Sequence, residues 1–233
     1  RFDYDEKQKL HRQAVEIEDL TFVYPGGERK IFDNLSITIN GGERIAVIGE
    51  NGVGKTTFLK LLMEELQPQY GTLKWAEKAR PGYYAQDHSA EFAGTQSLTD
   101  WIVGYARASI DEGGDLETLV RGTLGRLLFS GEEQKKSVNV ISGGEQGRML
   151  FGKLMLQRPN VLVMDEPTNH LDMESIESLN SGLEKFPGTL IFVSHDREFV
   201  SSLATRVFEI KGDGKIVDYL GGYEDYLASQ GVN

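Results

Sequence analysis

Gly49-Glu50-Asn51-Gly52-Val53-Gly54-Lys55-Thr56 fits the pattern G-x-x-x-x-G-K-[ST]. Its flanks supply the context that pattern needs. The apolar run Ile45-Ala46-Val47-Ile48 precedes it and reads as a strand. Phe58, Leu59, Leu62 and Leu66 then mark one face of a helix, with Pro68 after its end. Glycines let backbone N–H groups converge on phosphate oxygens, and a helix N-terminus adds a favourable dipole. Lys55 is placed to reach the β- and γ-phosphates of a nucleotide, and the Thr56 hydroxyl to ligate Mg²⁺. The plain alternative is an ordinary Gly-rich turn between strand and helix; the correct flanks argue against it.

Two further apolar runs read like the first. Val161-Leu162-Val163-Met164 and Leu190-Ile191-Phe192-Val193 are short, continuous and followed by polar loops. Central parallel strands covered on both faces look this way. The first of the two ends in Asp165-Glu166. Beside a phosphate loop, an Asp at a strand end holds Mg²⁺, usually through water, and an adjacent Glu can act as general base towards the attacking water. Strand alternation predicts that the two carboxylates point in different directions. Without the phosphate loop they would read as a solvated loop.

The flanking regions differ. Apolar residues recur through Val15, Ile17, Leu20, Phe22 and Tyr24, which predicts an edge strand, and Pro25-Gly26-Gly27 turns the chain. Ile37 and Ile39 alternate with polar neighbours before Gly41-Gly42, so the opening reads as antiparallel. Residues 89–140 are acidic and Gly-containing, with a helical pattern around Leu116–Leu128, and predict an inserted, mainly helical lobe. Val207–Ile210 and Ile216–Leu220 read as short strands, and Tyr223–Leu227 as a closing amphipathic turn.

Composition bounds the rest. A chain of 233 residues, 39% hydrophobic, fits one large α/β domain or two small ones. No run approaches the roughly 20 apolar residues of a membrane helix. With no cysteine there are no disulfides and no thiolate chemistry, which is compatible with a reducing cytosol. A net charge of −11 argues against broad phosphate-backbone binding, while a local basic patch stays open. The start Arg1-Phe2-Asp3-Tyr4-Asp5 lacks both a signal peptide and an initiator Met, and reads as a piece of a longer protein or as a trimmed terminus.

Ile141-Ser142-Gly143-Gly144-Glu145 resembles the signature motif of ATP-binding cassette (ABC) ATPases, and it precedes the Asp-Glu pair in that family's order. The chain is thus identified as a P-loop NTPase of α/β class, with a mainly parallel central sheet, an antiparallel β lobe and an inserted helical lobe at about 89–157. The resemblance implies further roles. The run from Gly49 through Glu50, Asn51, Gly52, Val53, Gly54, Lys55 and Thr56 to Thr57 holds nucleotide. Tyr24 stacks on adenine, where a packing role is the even alternative. Gln86 is the Q-loop contact to Mg²⁺ and water. His195 is the switch histidine at the γ-phosphate, and Asn169-His170-Leu171-Asp172 is the D-loop that meets a partner module. Ser142, Gly143, Gly144 and Glu145 face ATP bound to that partner.

The wording Asp165–Asp172, Glu145 in place of the Gln common in transporters, Gly82–Asp87 and Gly222–Leu227 resemble the ABC-F subfamily, and 173–180 its YbiT-type branch. That likeness implies a cytoplasmic ATPase without membrane domains, acting with the ribosome and transfer RNA. This chain would be the second of two cassettes, with 1–14 the end of an interdomain linker and 15–233 the ATPase domain. The other cassette would lie on the same longer chain; a head-to-tail homodimer is the alternative. Expected cofactors are ATP and Mg²⁺. A transporter's ATPase subunit and a nucleotide-gated switch with negligible hydrolysis are the rivals. A generic dinucleotide-binding fold fails, because a Lys-Thr phosphate loop stands where G-x-G-x-x-G is required.

Overall fold

The computed structural model describes residues 2–110 and 114–231. Arg1, at the start of the expected 1–14 linker end, lies outside the described residues, as do 111–113 of the helical lobe and 232–233 of the ATPase range. Among the described residues nine strands run β1 Gln13–Val23, β2 Lys30–Asn40, β3 Arg44–Ile48, β4 Tyr70–Trp75, β5 Pro81–Tyr84, β6 Val161–Asp165, β7 Thr189–Val193, β8 Arg206–Ile210 and β9 Ile216–Tyr219. The helices are α1 Lys55–Leu62, α2 Leu98–Ser109, α3 Leu116–Arg126, α4 Gly143–Gln157, α5 Met173–Glu184, α6 Arg197–Leu203 and α7 Tyr223–Ser229.

The six-stranded sheet has the order β5-β6-β7-β3-β8-β9. β5 to β8 within it pair in parallel, and β9 is antiparallel to β8. The three apolar runs are β3, β6 and β7, as their sequences predict. Their continuity has a direct cause. Val161 and Val163 of β6 pack into the core on one face, with α1; Leu162 and Met164 pack into the core on the other face, with α4. A strand buried on both faces has no solvated position in its middle to give to a polar residue.

The second sheet is antiparallel, with order β2-β1-β4. Here the expected edge strand at Val15–Tyr24 is corrected: β1 is the middle strand, flanked by β2 and by β4. The unrecognised partner was Tyr70–Trp75, a mostly exposed strand whose pairing, Ile17 to Leu73 and Val15 to Trp75, no local apolar run announces. The helix after the phosphate loop is also shorter than its apolar spacing implied. α1 stops at Leu62, Glu64 takes a left-handed φ of 59°, and Leu66 reaches the core from a loop. The tail segment read as an amphipathic turn is the helix α7.

α2, α3 and α4 pack together around Leu98, Ile102, Leu124 and Leu150, all nearly fully buried. α2 was not singled out in the sequence, although Ser97 caps it by accepting from Asp100 N–H at 3.0 Å. The N-terminal segment docks on the module rather than leaving it: Phe2 meets Phe151 edge-on at 6.3 Å and Tyr4 meets Phe186 at 6.1 Å. Asn160, at the entry to β6, ties this segment down. It is 1% exposed, donates to Gln8 O at 2.6 Å and Lys78 O at 2.8 Å, and accepts from Arg80 N–H at 2.7 Å. Asn160→Ala therefore leaves three part-buried backbone groups without this partner. The expected loss is about 2–3 kcal/mol of unfolding free energy, read from the urea midpoint; a loss under about 0.5 kcal/mol contradicts this role.

Candidate functional site

The cleft forms at the carboxyl ends of the parallel strands, where loops leave the sheet. Gly49 and Gly54 bracket the phosphate loop with φ values of 146° and 122°. A Cβ on Gly49 would lie 2.4 Å from Ile210 O, and one on Gly54 2.6 Å from Ile31 Cγ2, so both positions require glycine on two counts. Gly54 is also the N-cap of α1, with no side chain to satisfy the first amides. Those amides face outwards at the positive end of the helix dipole, an anion site made of backbone. The Lys55 ammonium donates to Gly49 O and Glu50 O, each at 2.8 Å, so it spans the loop from within. Burial pushes its pKa down, against an upward pull from Glu166 and Asp165.

Tyr24, Asn51, Gly52, Gly54, Lys55, Thr56, Thr57, Gln86, Asp165, Glu166 and His195 line one cleft of about 360 Å³. Eleven expected residues, from loops separated by up to 171 positions in sequence (Tyr24 to His195), therefore converge. Gly49 and Glu50 line an adjoining cavity of about 400 Å³ that shares Lys55 and His195 with the cleft. Val53 turns its side chain into the core. Ile31 and Val193 line the cleft without having been singled out, since each looks in sequence like an ordinary strand residue.

Asp165 ends β6 and is 1% exposed, yet neither carboxylate oxygen has a hydrogen-bond partner. Burial pushes its pKa up. The nearby Thr56 hydroxyl, outside good hydrogen-bond geometry, and the charges of Lys55 and Lys60 pull it part of the way back. A buried, unpaired carboxylate is costly unless something positive meets it. Among the described residues no group of three His, Cys, Asp or Glu could hold a metal ion alone. One carboxylate and one hydroxyl suit Mg²⁺, which takes its other ligands from water and substrate phosphates. The residues present thus fit that ion.

Glu166 does not continue the strand, which corrects the expectation from strand alternation. Its φ is 52°, a left-handed conformation that costs a non-Gly residue about 1–3 kcal/mol. Its N–H bonds Val193 O at 2.9 Å. The two carboxylates diverge because the backbone turns between them. His195 holds both Glu166 oxygens, Nε2 at 3.2 Å from Oε1 and its own N–H at 3.2 Å from Oε2. The carboxylate is buried while the imidazole is largely exposed. Burial raises the Glu166 pKa, and the His195 contacts partly oppose the rise.

The signature segment lies outside this cleft, at the start of α4. Ser142 accepts from Glu145 N–H at 3.3 Å, and Glu145 Oε2 accepts from Ser142 N–H at 2.7 Å, a reciprocal capping box. Lys136 Nζ lies 3.1 Å from the other Glu145 oxygen. A Cβ on Gly144 would meet His170 O at 2.8 Å, so the segment read as the D-loop packs against the signature turn.

A raised carboxyl pKa means that ionising Asp165 opposes folding at neutral pH and that protonation relieves the penalty. Without nucleotide or Mg²⁺, Asp165→Asn should raise the unfolding temperature at about pH 7.5, and the gain should shrink as pH falls to about 4. A variant less stable than wild type at neutral pH contradicts an unpaired charge.

The family model described as ABC transporter matches residues 32–169. "Probable ATP-binding protein YbiT" of Escherichia coli O157:H7 is 56% identical over 232 residues, covering 100% of this chain and 42% of that protein. "Energy-dependent translational throttle protein EttA" of Haemophilus influenzae is 34% identical, covering 94% of this chain and 38% of that protein. The chain thus spans less than half the length of these relatives. A solved dimeric ATP-binding cassette in a post-hydrolysis state, bound to ADP and Pi, superposes with a TM-score of 0.74 over 90% of this chain and 100% of that one; at 19% identity this shows a shared fold. A phosphate loop, a buried Asp-Glu pair and a capped signature helix in one α/β frame, together with the match over 32–169, place the chain in the ABC transporter family as an ATP-binding cassette ATPase domain with relatives of ABC-F type.

Proposed function

We propose that this cassette works as half of an ATP-clamped pair within a longer protein, and that the pair acts on the ribosome. The observation that carries the catalytic part is Glu166: buried, strained and gripped by His195 at the mouth of a cleft that also holds Lys55 and Asp165.

The phosphates of ATP lie on the amides of the phosphate loop, and Lys55 neutralises charge on the β- and γ-phosphates. Thr56 and Asp165, with Gln86 on the same cleft, would hold Mg²⁺. The ion supplies electrostatic stabilisation of charge on the transferring phosphoryl group. Glu166 orients a water and takes its proton; its raised pKa brings it nearer the range in which a base works well. His195 fixes the Glu166 carboxylate and stands beside the γ-phosphate position. Tyr24 stacks on adenine.

Half of the site is elsewhere. Ser142 and the amides of Gly143 and Gly144 open α4 and form a second anion-binding terminus that does not line this cleft. They serve ATP bound to the partner cassette, with Glu145 keeping the turn closed. The reach of the curated relatives, more than twice this chain, supports a second cassette on the same polypeptide; a head-to-tail homodimer is the other arrangement. On this reading 1–14 ends an interdomain linker, 15–233 is the ATPase domain, and 89–157 is its helical lobe. Among the described residues no helix is long and apolar enough to cross a membrane. The name of the relative EttA, a translational throttle protein, supports a role in translation, and the resemblance to the ABC-F subfamily adds a cytoplasmic site of action with ribosome and transfer RNA as partners.

In the full-length protein, Glu166→Gln should cut kcat by about 100-fold or more while ATP binding persists. The same variant with ATP should sediment with ribosomes more than wild type does. Wild-type turnover by Glu166→Gln overturns its role as base. No ATP-dependent association by either protein, with ATP binding confirmed, overturns the ribosomal reading.

A further inference from the structure

The phenol of Tyr24 and the hydroxyl of Thr57 meet at 2.8 Å. The bond joins two elements far apart in sequence: the loop leaving β1 and the first turn of α1. Tyr24 is braced on other sides too. The ring of Phe22, itself buried in the core, meets it edge-on at 5.0 Å. Its carbonyl closes a turn by accepting from Gly27 N–H at 2.9 Å. Even so, Tyr24 stays 43% exposed and lines the cleft. Thr57 is the rigid end of the pair: it is 6% exposed, β-branched and held in a helix.

We infer that Thr57 is a positioning residue that sets the plane of the Tyr24 ring and so presents a ready-made platform to the base of a bound nucleotide. This inference rests on the proposed reading of Tyr24 as the adenine contact. An aromatic side chain on a loop would lose rotamer freedom on binding, and the affinity would fall by that ordering cost. Anchoring the phenol to α1 removes the freedom beforehand. It also fixes the distance from the base platform to the phosphate loop, because Thr57 directly follows Lys55 and Thr56. Phenylalanine could stack as well as tyrosine, but only tyrosine can be anchored in this way.

The experiment measures equilibrium binding of ATP and of inorganic tripolyphosphate to the full-length protein. Tyr24→Phe and Thr57→Val should each weaken ATP binding about threefold to tenfold. Combined, they should lose little more than the larger single effect, because both remove one bond. Thr57→Ser should restore most of the affinity, and the loss in Tyr24→Phe should be larger for ATP than for tripolyphosphate. Additive losses overturn the inference, as does wild-type affinity in Tyr24→Phe. So does a Thr57→Val defect equal for ATP and tripolyphosphate, which would place the hydroxyl on phosphate instead. Tyr24→Ala separates the two levels: wild-type ATP affinity there sinks the adenine reading itself, whereas a clear loss alongside a silent Tyr24→Phe sinks only the role of Thr57.

Discussion

The cleft is organised around buried negative charge that the protein compensates only in part. Asp165 and Glu166 sit at the end of a fully buried strand. The charge of Lys55 acts on both, and its ammonium is already bonded to two carbonyls of its own loop. A low-dielectric site with two carboxylates and one engaged ammonium is unstable by itself and well suited to a ligand that brings cations. The strain at Glu166 belongs to the same economy. Its left-handed backbone turns one carboxylate towards His195 while Asp165 stays facing Thr56 and Lys55. The parallel sheet tolerates both penalties because cores on its two faces hold β6 rigidly from either side.

The same frame explains how cleft residues from distant parts of the chain are assembled. β3 delivers the phosphate loop, β6 the carboxylates and β7 the histidine, with β7 lying between the other two. β8 backs the loop closely enough that Ile210 O excludes any side chain at Gly49. The antiparallel sheet supplies Tyr24 from the exit of β1, and Thr57 ties it to the helix that follows the phosphate loop. The signature turn stands outside the cleft, touched by the segment at His170 that follows the Asp-Glu pair. Its capping box is complete between Ser142 and α4.

Much of this was legible in the sequence, and the exceptions share a cause. The phosphate loop, the three buried strands and the Asp-Glu pair are written locally, in residues that must be what they are wherever they meet the chain. β4 was not, because an exposed strand such as Tyr70–Trp75 owes its conformation to β1 pairing, and without it β1 looked like an edge. The length of α1 failed similarly: apolar spacing runs on to Leu66, but the left-handed turn at Glu64 leaves no mark that periodicity detects. α2 did leave one, in the cap at Ser97 and the buried Trp101 and Ile102, and this was legible on closer reading. The conformation of Glu166 was beyond reach, since a left-handed glutamate is disfavoured by its own chemistry and exists only because the site enforces it. The Glu166–His195 contact spans 29 positions and was not expected, since the family likeness put His195 at the γ-phosphate and not on the carboxylate.

The central claim is that Asp165 and Thr56 form an incomplete cation site that ATP completes. Titrating the full-length protein with ATP, with and without Mg²⁺, tests it most directly when wild type is compared with Asp165→Asn. The account predicts that Mg²⁺ strengthens ATP binding to wild type at this cassette and that the strengthening is lost in the variant. Equal benefit from Mg²⁺ in both proteins would contradict it, and would mean that the buried carboxylate serves the fold and not the nucleotide.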